Sequence, residues 1–268
     1  MDNLKKRRPI FAFLLSLVTP GLGQIYNGQF KKGISYLVGF LLVYFVFSFL
    51  LFYFYGMILY LIIILGCFIF IFVDALRTAN KLKAIPLEPF NKWYIYLIIL
   101  LISNAAVVPL LRWTVKNNIV RAYKIPSSGM EPAVLVGDRL IADMRSYKSQ
   151  KPRRGDIVIF QLPKDPSKYL IKRVIGMESE KVEIVSNKIY IDDKLLDDPW
   201  GDFTKDYLAI DTFGPVVVPE GSLFVLGDNR NNSQDSRYWG FVNVEKVRGK
   251  GLYLYWAKNK SRIGMKLR

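Results

Sequence analysis

Forty consecutive residues, Ile34 to Val73, carry no charge. A helix needs about 20 apolar residues to cross a bilayer, so this run is long enough for two crossings and reads as a helical hairpin. Gly56, near its middle in Tyr-Gly-Met, is the expected reversal, because glycine enters turn conformations without a Cβ penalty. Every other feature of the chain has to be arranged around this membrane-directed segment.

A second uncharged run, Trp93 to Leu111, is again of spanning length. Trp93, Tyr94 and Tyr96 at one end and Arg112-Trp113 at the other suit interfacial anchors. The earliest run, Pro9 to Phe30, is broken by Pro20-Gly21 and Gly23 and reads as an interfacial or re-entrant element in preference to a span. Lys5, Lys6, Arg7, Arg8, Lys31 and Lys32 precede the hairpin, and Arg77, Lys81, Lys83 and Lys92 separate it from the third span. The positive-inside rule puts both groups on the cytoplasmic side, and three crossings then put everything after about residue 114 outside. The expected division is a cytoplasmic or interfacial segment 1–33, a transmembrane hairpin with a basic cytoplasmic loop 34–92, a third transmembrane helix 93–115 and an extracytoplasmic portion 116–268. A cleavable secretory signal would imitate the amino terminus, but no small-x-small site follows the apolar run cleanly and the hairpin would anchor the product anyway.

The net charge of +16 is partly explained by this topology, since ten of the 38 basic residues serve orientation. A lipid bilayer is the expected partner of the remainder, and no nucleic acid is needed to explain the charge. The segment Pro20-Gly-Leu-Gly-Gln-Ile-Tyr-Asn-Gly-Gln-Phe-Lys-Lys-Gly33 resembles the glycine-rich signature of small two-helix membrane modules fused to many bacterial proteins. That resemblance covers about residues 9–80 and implies no chemistry. Close helix approach in lipid accounts for the glycines as well as a binding role does.

After Lys116 short β-branched or aromatic runs alternate with Gly, Pro, Asn and Asp clusters. Candidate strands are Ile157–Phe160, Leu170–Ile175, Val182–Val185, Lys188–Ile191, Val216–Val218 and Leu223–Leu226, with a turn at Asp192-Asp193. The fold class is therefore transmembrane α-helices at the amino terminus followed by a mostly β domain, an antiparallel sheet or barrel-like arrangement. With no histidine and one cysteine in the chain, a Ser-His-Asp triad, an iron–sulfur cluster and a CxxC redox pair are excluded, and no cofactor or metal is implied.

Three segments of the outer portion stand out. Lys124-Ile-Pro-Ser-Ser-Gly-Met-Glu-Pro-Ala133 offers two hydroxyls beside a glycine, or is an irregular loop. In Tyr169-Leu-Ile-Lys-Arg-Val-Ile-Gly176, Lys172 and Arg173 sit among apolar neighbours. If the face shared by Leu170, Lys172 and Val174 is dry, burial disfavours the ammonium form and leaves a neutral amine fit for general-base work. The alternative is an edge strand whose lysine reaches water. The third is Gly227-Asp-Asn-Arg-Asn-Asn-Ser-Gln-Asp-Ser-Arg-Tyr-Trp-Gly240, after the apolar Leu223–Leu226 run. A surface loop uses such residues too, yet its two Asp–Arg combinations, Asp228 with Arg230 and Asp235 with Arg237, could clamp the loop and hold Ser233 against Lys172.

These segments, in this order and behind a membrane anchor, resemble type I signal peptidases, also called leader peptidases, over roughly residues 93–256. Arg153–Phe160 and Tyr169–Gly176 match the family's middle motifs and Gly227–Phe241 its last. The resemblance implies a serine endopeptidase of the bacterial inner (plasma) membrane, multi-pass, that removes amino-terminal signal peptides from exported preproteins with lysine in place of histidine. It implies Lys172 as general base, Ser233 orienting its amine, Asp235 and Arg237 in support together with Asp228 and Arg230, and Ser127 donating a hydroxyl to the oxyanion hole. The family pattern Ile-Pro-Ser-x-Ser-Met-x-Pro puts its nucleophile immediately before methionine, and this chain has Gly129 there. That leaves a substitution that silences the enzyme, a naturally inactive member, or attack by Ser128 from one residue earlier. The alternative to a peptidase is a catalytically inactive, membrane-anchored signal-peptide-binding protein of the same fold.

Overall fold

The computed structural model describes residues 4–82, 85–86, 88–162, 165–201, 203 and 212–267. The chain divides into two compact units, Met1–Lys116 and Asn117–Arg268.

Among the described residues three helices are long and apolar enough to cross a membrane, Phe30–Phe52, Phe54–Lys81 and Trp93–Asn118, and all but the last two residues of the third lie in the first unit. Ahead of them lie α1 (Pro9–Val18) and α2 (Leu22–Tyr26), separated at Pro20-Gly21. Ten residues at 1.5 Å each give α1 a length of about 15 Å, half the thickness of a hydrocarbon core. The hairpin is α3 (Phe30–Phe47), a 3-10 continuation over Ser48–Phe52, and α4 (Phe54–Lys81). Its reversal is at Tyr53, in an extended conformation, three residues before the expected Gly56. Gly56 instead lies in the first turn of α4, where a Cβ would stand 2.2 Å from the Leu50 carbonyl oxygen. The third long helix comprises α5 (Trp93–Leu101), a π turn over Ile102–Val107 and α6 (Val108–Asn118). A short pair, β1 (Leu4–Lys5) with β2 (Ile85–Pro86), joins the amino terminus to the basic loop. Lys83, one of the loop's orienting cations, lies outside the described residues.

The glycine-rich segment is a close-packing device. A Cβ on Gly21 would lie 2.0 Å from the Gly33 carbonyl oxygen, and one on Gly23 would lie 2.1 Å from that of Ala12. Its polar residues face α4. Gln24 donates to the Ile71 carbonyl (2.9 Å) and Asp74 (3.0 Å), Asn27 donates to the Ala75 carbonyl (2.9 Å), and Lys32 pairs with Asp74 at 2.7 Å.

The second unit is antiparallel β throughout its described sheets. A seven-stranded sheet runs in the order β12-β11-β6-β5-β13-β4-β3, built from β3 (Val120–Lys124), β4 (Arg139–Asp143), β5 (Ile157–Leu162), β6 (Asp165–Gly176), β11 (Ser222–Leu226), β12 (Val242–Asn243) and β13 (Val247–Trp256). A four-stranded sheet, β10-β7-β8-β9, holds β7 (Lys181–Val185), β8 (Lys188–Ile191), β9 (Lys194–Leu195) and β10 (Phe213–Val217). Asp192 and Asp193, both at positive φ (49° and 65°), turn the chain between β8 and β9. The helical pieces α7 (Ser146–Ser149) and α8 (Ser236–Trp239) are one turn each. Strand β5 is buried on both faces through Ile157–Phe160 because it lies inside the larger sheet, which is why it reads as a continuous apolar run and not an alternating one.

Candidate active site

Lys172 is on β6, and β6 is an interior strand. Val158 of β5 pairs opposite Lys172 on one side, and Val174 and Arg173 pair with Val225 and Leu226 of β11 on the other. The edge-strand alternative is thereby removed, and the side chain keeps only 6% of its exposure. Burial holds the amine below the ordinary lysine range. The nearby Asp235 pulls it back up, Arg237 pushes it further down, and Asp228 raises it.

The amine's hydrogen-bond partner is Ser233, whose Oγ lies 2.7 Å from Nζ. Ser233 is carried by the loop after β11, whose tight course depends on Gly227. A Cβ there would fall 2.1 Å from Ser233 Oγ and 2.2 Å from the Gly129 carbonyl oxygen. Only a residue without a side chain lets the three segments meet. On the opposite wall Gly129 is buried, and a Cβ built on it would stand 3.1 Å from Lys172 Nζ. The backbone at 129 thus directs a side chain at the amine, and the sequence supplies none.

The two serines beside it are placed differently. Ser128 Oγ accepts a hydrogen bond from Asn232 Nδ2 at 3.0 Å, and its carbonyl accepts from Asn229 Nδ2 at 3.2 Å. No hydrogen bond joins Ser128 to Lys172. Ser127 is exposed and makes no hydrogen bond among the described residues. The structure therefore brings together Lys172, Ser233 and the Gly129 backbone, and does not bring the Ser127 or Ser128 hydroxyl onto the amine.

Three buried guanidiniums hold the Gly227 loop. Arg237 pairs with Asp235 (2.8 and 2.9 Å) and donates to the Arg230 carbonyl at 2.6 Å. Asp235 also accepts from the Gly227 amide at 3.1 Å, which closes the loop on itself. The other expected combination, Asp228 with Arg230, is not a pair. Asp228 takes a bidentate contact from Arg173 (2.7 and 2.6 Å), and Arg230 reaches Asp198, with a second bond of 3.0 Å. The reason is strand alternation: Lys172 and Arg173 leave β6 on opposite faces, so the arginine needs its own carboxylate, and Asp228 is the first acid after the apolar β11. Arg173 also donates to the Gly155 carbonyl (2.7 Å) and its guanidinium stands 5.0 Å from the Trp200 ring.

Arg173, Asp198, Asn232 and Trp200 escaped the sequence reading as site residues. A usable signal existed for Arg173, a second cation in an apolar run. None existed for Asp198 or Asn232, whose partners are set only by the fold. Taken together, the arrangement offers a desolvated amine able to accept a proton, held against one hydroxyl and facing a position with no second one.

A family model described as "Signal peptidase, peptidase S26" matches residues 94–256. Among similar proteins, Probable signal peptidase I-2 of Synechocystis sp. is 36% identical over 192 residues, 68% of this chain and 81% of that one. Signal peptidase I of Leptolyngbya laminosa is 37% identical over 54% of this chain and 73% of its own length. Signal peptidase I of Bacillus caldolyticus is 34% identical over 56% and 85% respectively.

Proposed function

Since the chain belongs to the type I signal peptidase family, peptidase S26, we propose that it acts on the signal segments of exported preproteins, and that in this sequence it holds them beside a base that faces no hydroxyl at position 129. The observation that carries this is the 3.1 Å approach of a Gly129 Cβ to Lys172 Nζ, with Ser128 Oγ bonded away to Asn232. A serine at 129 would put its hydroxyl on the amine. Lys172 would take its proton as the oxygen attacks the peptide carbonyl and pass it to the amine nitrogen as the peptide C–N bond breaks, and water would then hydrolyse the ester formed. Ser233 keeps the amine oriented, the Asp235–Arg237 and Asp228–Arg173 pairs fix the loop that carries Ser233, and Ser127 is the hydroxyl free to reach a developing oxyanion. An extended signal segment docks as an added strand. The three apolar helices anchor the chain as a multi-pass protein of the bacterial plasma membrane, and the cations flanking the hairpin favour Asn117–Arg268 on the extracytoplasmic side.

Cleavage of a preprotein by the full chain in lipid, beside Gly129→Ser, tests the reading. Activity in the variant alone supports it; cleavage by the original chain that Ser128→Ala abolishes overturns it. A second reading is favoured by the 2.7 Å contact of Ser233 with Lys172, which is itself a hydroxyl–amine pair. It predicts turnover by the unmodified chain with an acyl adduct mapped to Ser233.

A further inference from the structure

Arg7 is 96% buried, only 4% of it remaining exposed, although it lies between Lys6 and Arg8 in a basic run. Its guanidinium stands 4.7 Å from the Tyr26 ring centroid. It hydrogen-bonds the neutral Tyr96, but two of its nitrogens, Nε and Nη2, make no hydrogen bond, and it pairs with no carboxylate among the described residues. Asp74, the acid of the neighbouring polar cluster, is taken by Lys32 and Gln24. A guanidinium, unlike a lysine amine, is a permanent cation. A permanent buried cation with open donors requires an anion from elsewhere.

The cleft that Arg7 lines has a volume of about 750 Å³. Lys6, Arg8 and Lys92 line it too, with no carboxylate among the described residues around it. Two helices begin at its rim. Arg8 is the N-cap of α1 and Lys92 that of α5, and neither end has a side-chain cap, so both helices turn their positive ends on the same space. The surroundings say what kind of anion arrives. Trp93 and Tyr94, also in the lining, are exposed, and beyond them the surface is apolar: Phe11, Leu14 and Val18 on α1 and Leu97 and Ile98 on α5 are all exposed. An aromatic belt above exposed aliphatic walls is the profile of a membrane interface.

We propose that this cleft binds the phosphate of an anionic phospholipid headgroup, with Arg7 as its principal donor, the Lys6, Arg8 and Lys92 cations around it, and the acyl chains running down the apolar faces of α1 and α5. The site is in the first unit and does not depend on the chemistry proposed at Lys172. It also gives the run at residues 5–8 a role beyond orientation.

Native mass spectrometry of the full chain in detergent tests the site with phosphatidylglycerol and phosphatidylcholine of identical acyl chains. Phosphatidylglycerol is expected to bind in preference. Arg7→Gln is expected to weaken it roughly tenfold or more, the loss of one or more charge-assisted hydrogen bonds. Lys92→Gln weakens it by a smaller factor, and Lys116→Gln, at the far end of the third long helix, leaves it unchanged. Thermal unfolding of the same proteins keeps the outcome independent of folding defects: phosphatidylglycerol raises the midpoint of the original chain and not that of Arg7→Gln, while without lipid Arg7→Gln loses little stability. Equal binding of the two lipids, or undiminished binding by both Arg7→Gln and Lys92→Gln, overturns the proposal. Glycerol phosphate without acyl chains binding as tightly as the lipid overturns the lipid source and leaves a site for free phosphate esters.

Discussion

The two units treat buried cations in opposite ways. In Asn117–Arg268 every buried guanidinium among the described residues has a carboxylate: Arg173 has Asp228, Arg230 has Asp198 and Arg237 has Asp235. In Met1–Lys116 the buried Arg7 has none among the described residues. Lys172 is a third case, a buried amine bonded to a hydroxyl and not to an acid. The difference matches the roles proposed for each cation. A partnered arginine is a strut, because the pair is satisfied whatever else binds. A lysine with no carboxylate of its own is proposed as a base, whereas an arginine with no carboxylate keeps its charge and is proposed as a receptor.

The largest expected effect tests the middle case. In a Gly129→Ser background, Lys172→Met is expected to lower kcat/KM for preprotein cleavage by about 10⁴-fold or more, because the serine loses its proton acceptor. Retained cleavage would mean that the amine is not the base. Next comes the contrast between struts and receptor. Asp228→Asn strands Arg173 in a dry site and is expected to destabilise the second unit by about 3–5 kcal/mol in denaturant unfolding. Arg7→Gln, which removes a cation whose internal partners are the neutral Tyr26 and Tyr96 and no carboxylate among the described residues, is expected to cost the first unit far less in the absence of lipid. If both changes destabilise alike, the distinction fails.

Much of this was legible in the sequence, and the rest was not for identifiable reasons. The uncharged run marks the hairpin, but glycine's freedom points to a reversal at Gly56, and the structure puts it at Tyr53. Glycine there serves close approach to Leu50 and not a turn. Periodicity showed the β strands, and Lys172 stood out as a cation among apolar neighbours. Its neighbour Arg173 carried the same signal with a different consequence, because alternation along β6 sends it to the other face. The partner exchange at Asp228 and Arg230 depends on Asp198, 32 residues away from Arg230 in the chain, and no local pattern encodes that contact. Arg7 read as one of many orienting charges; its burial follows from how α1, α2 and α5 surround it.

A smaller effect concerns geometry. Gly227→Ala drives a methyl into Ser233 Oγ and the Gly129 carbonyl, and a backbone atom cannot rotate away. Displacement of about an ångström between Ser233, Lys172 and residue 129 is expected to lower Gly129→Ser activity on the order of a hundredfold. A smaller change would show that the loop absorbs the methyl elsewhere. Titration comes next. Because burial lowers the Lys172 pKa, the folded unit binds fewer protons than the unfolded chain between that lowered value and the ordinary ~10.4. Stability conferred by the second unit therefore rises with pH across that window, by at most about 1.4 kcal/mol per pH unit for one group. The difference between the original chain and Lys172→Met isolates this slope; a flat difference would mean an unshifted amine.

The smallest expected effect is at Asn232, and it bears most directly on the proposal that Ser128 is not the nucleophile. Asn232 is exposed, and its amide holds Ser128 Oγ by one neutral hydrogen bond of 3.0 Å. Such a bond contributes about 0.5–1.5 kcal/mol net, and the Ser128 carbonyl is independently held by Asn229. Asn232→Ala should thus change stability by about 1 kcal/mol or less and Gly129→Ser activity by only a few-fold. In the original chain it should restore no cleavage, because residue 129 and not 128 directs its side chain at Lys172. Cleavage by Asn232→Ala alone would show that Ser128 was one hydrogen bond away from the amine, and Lys172 would then be a base restrained from its nucleophile, not a base without one.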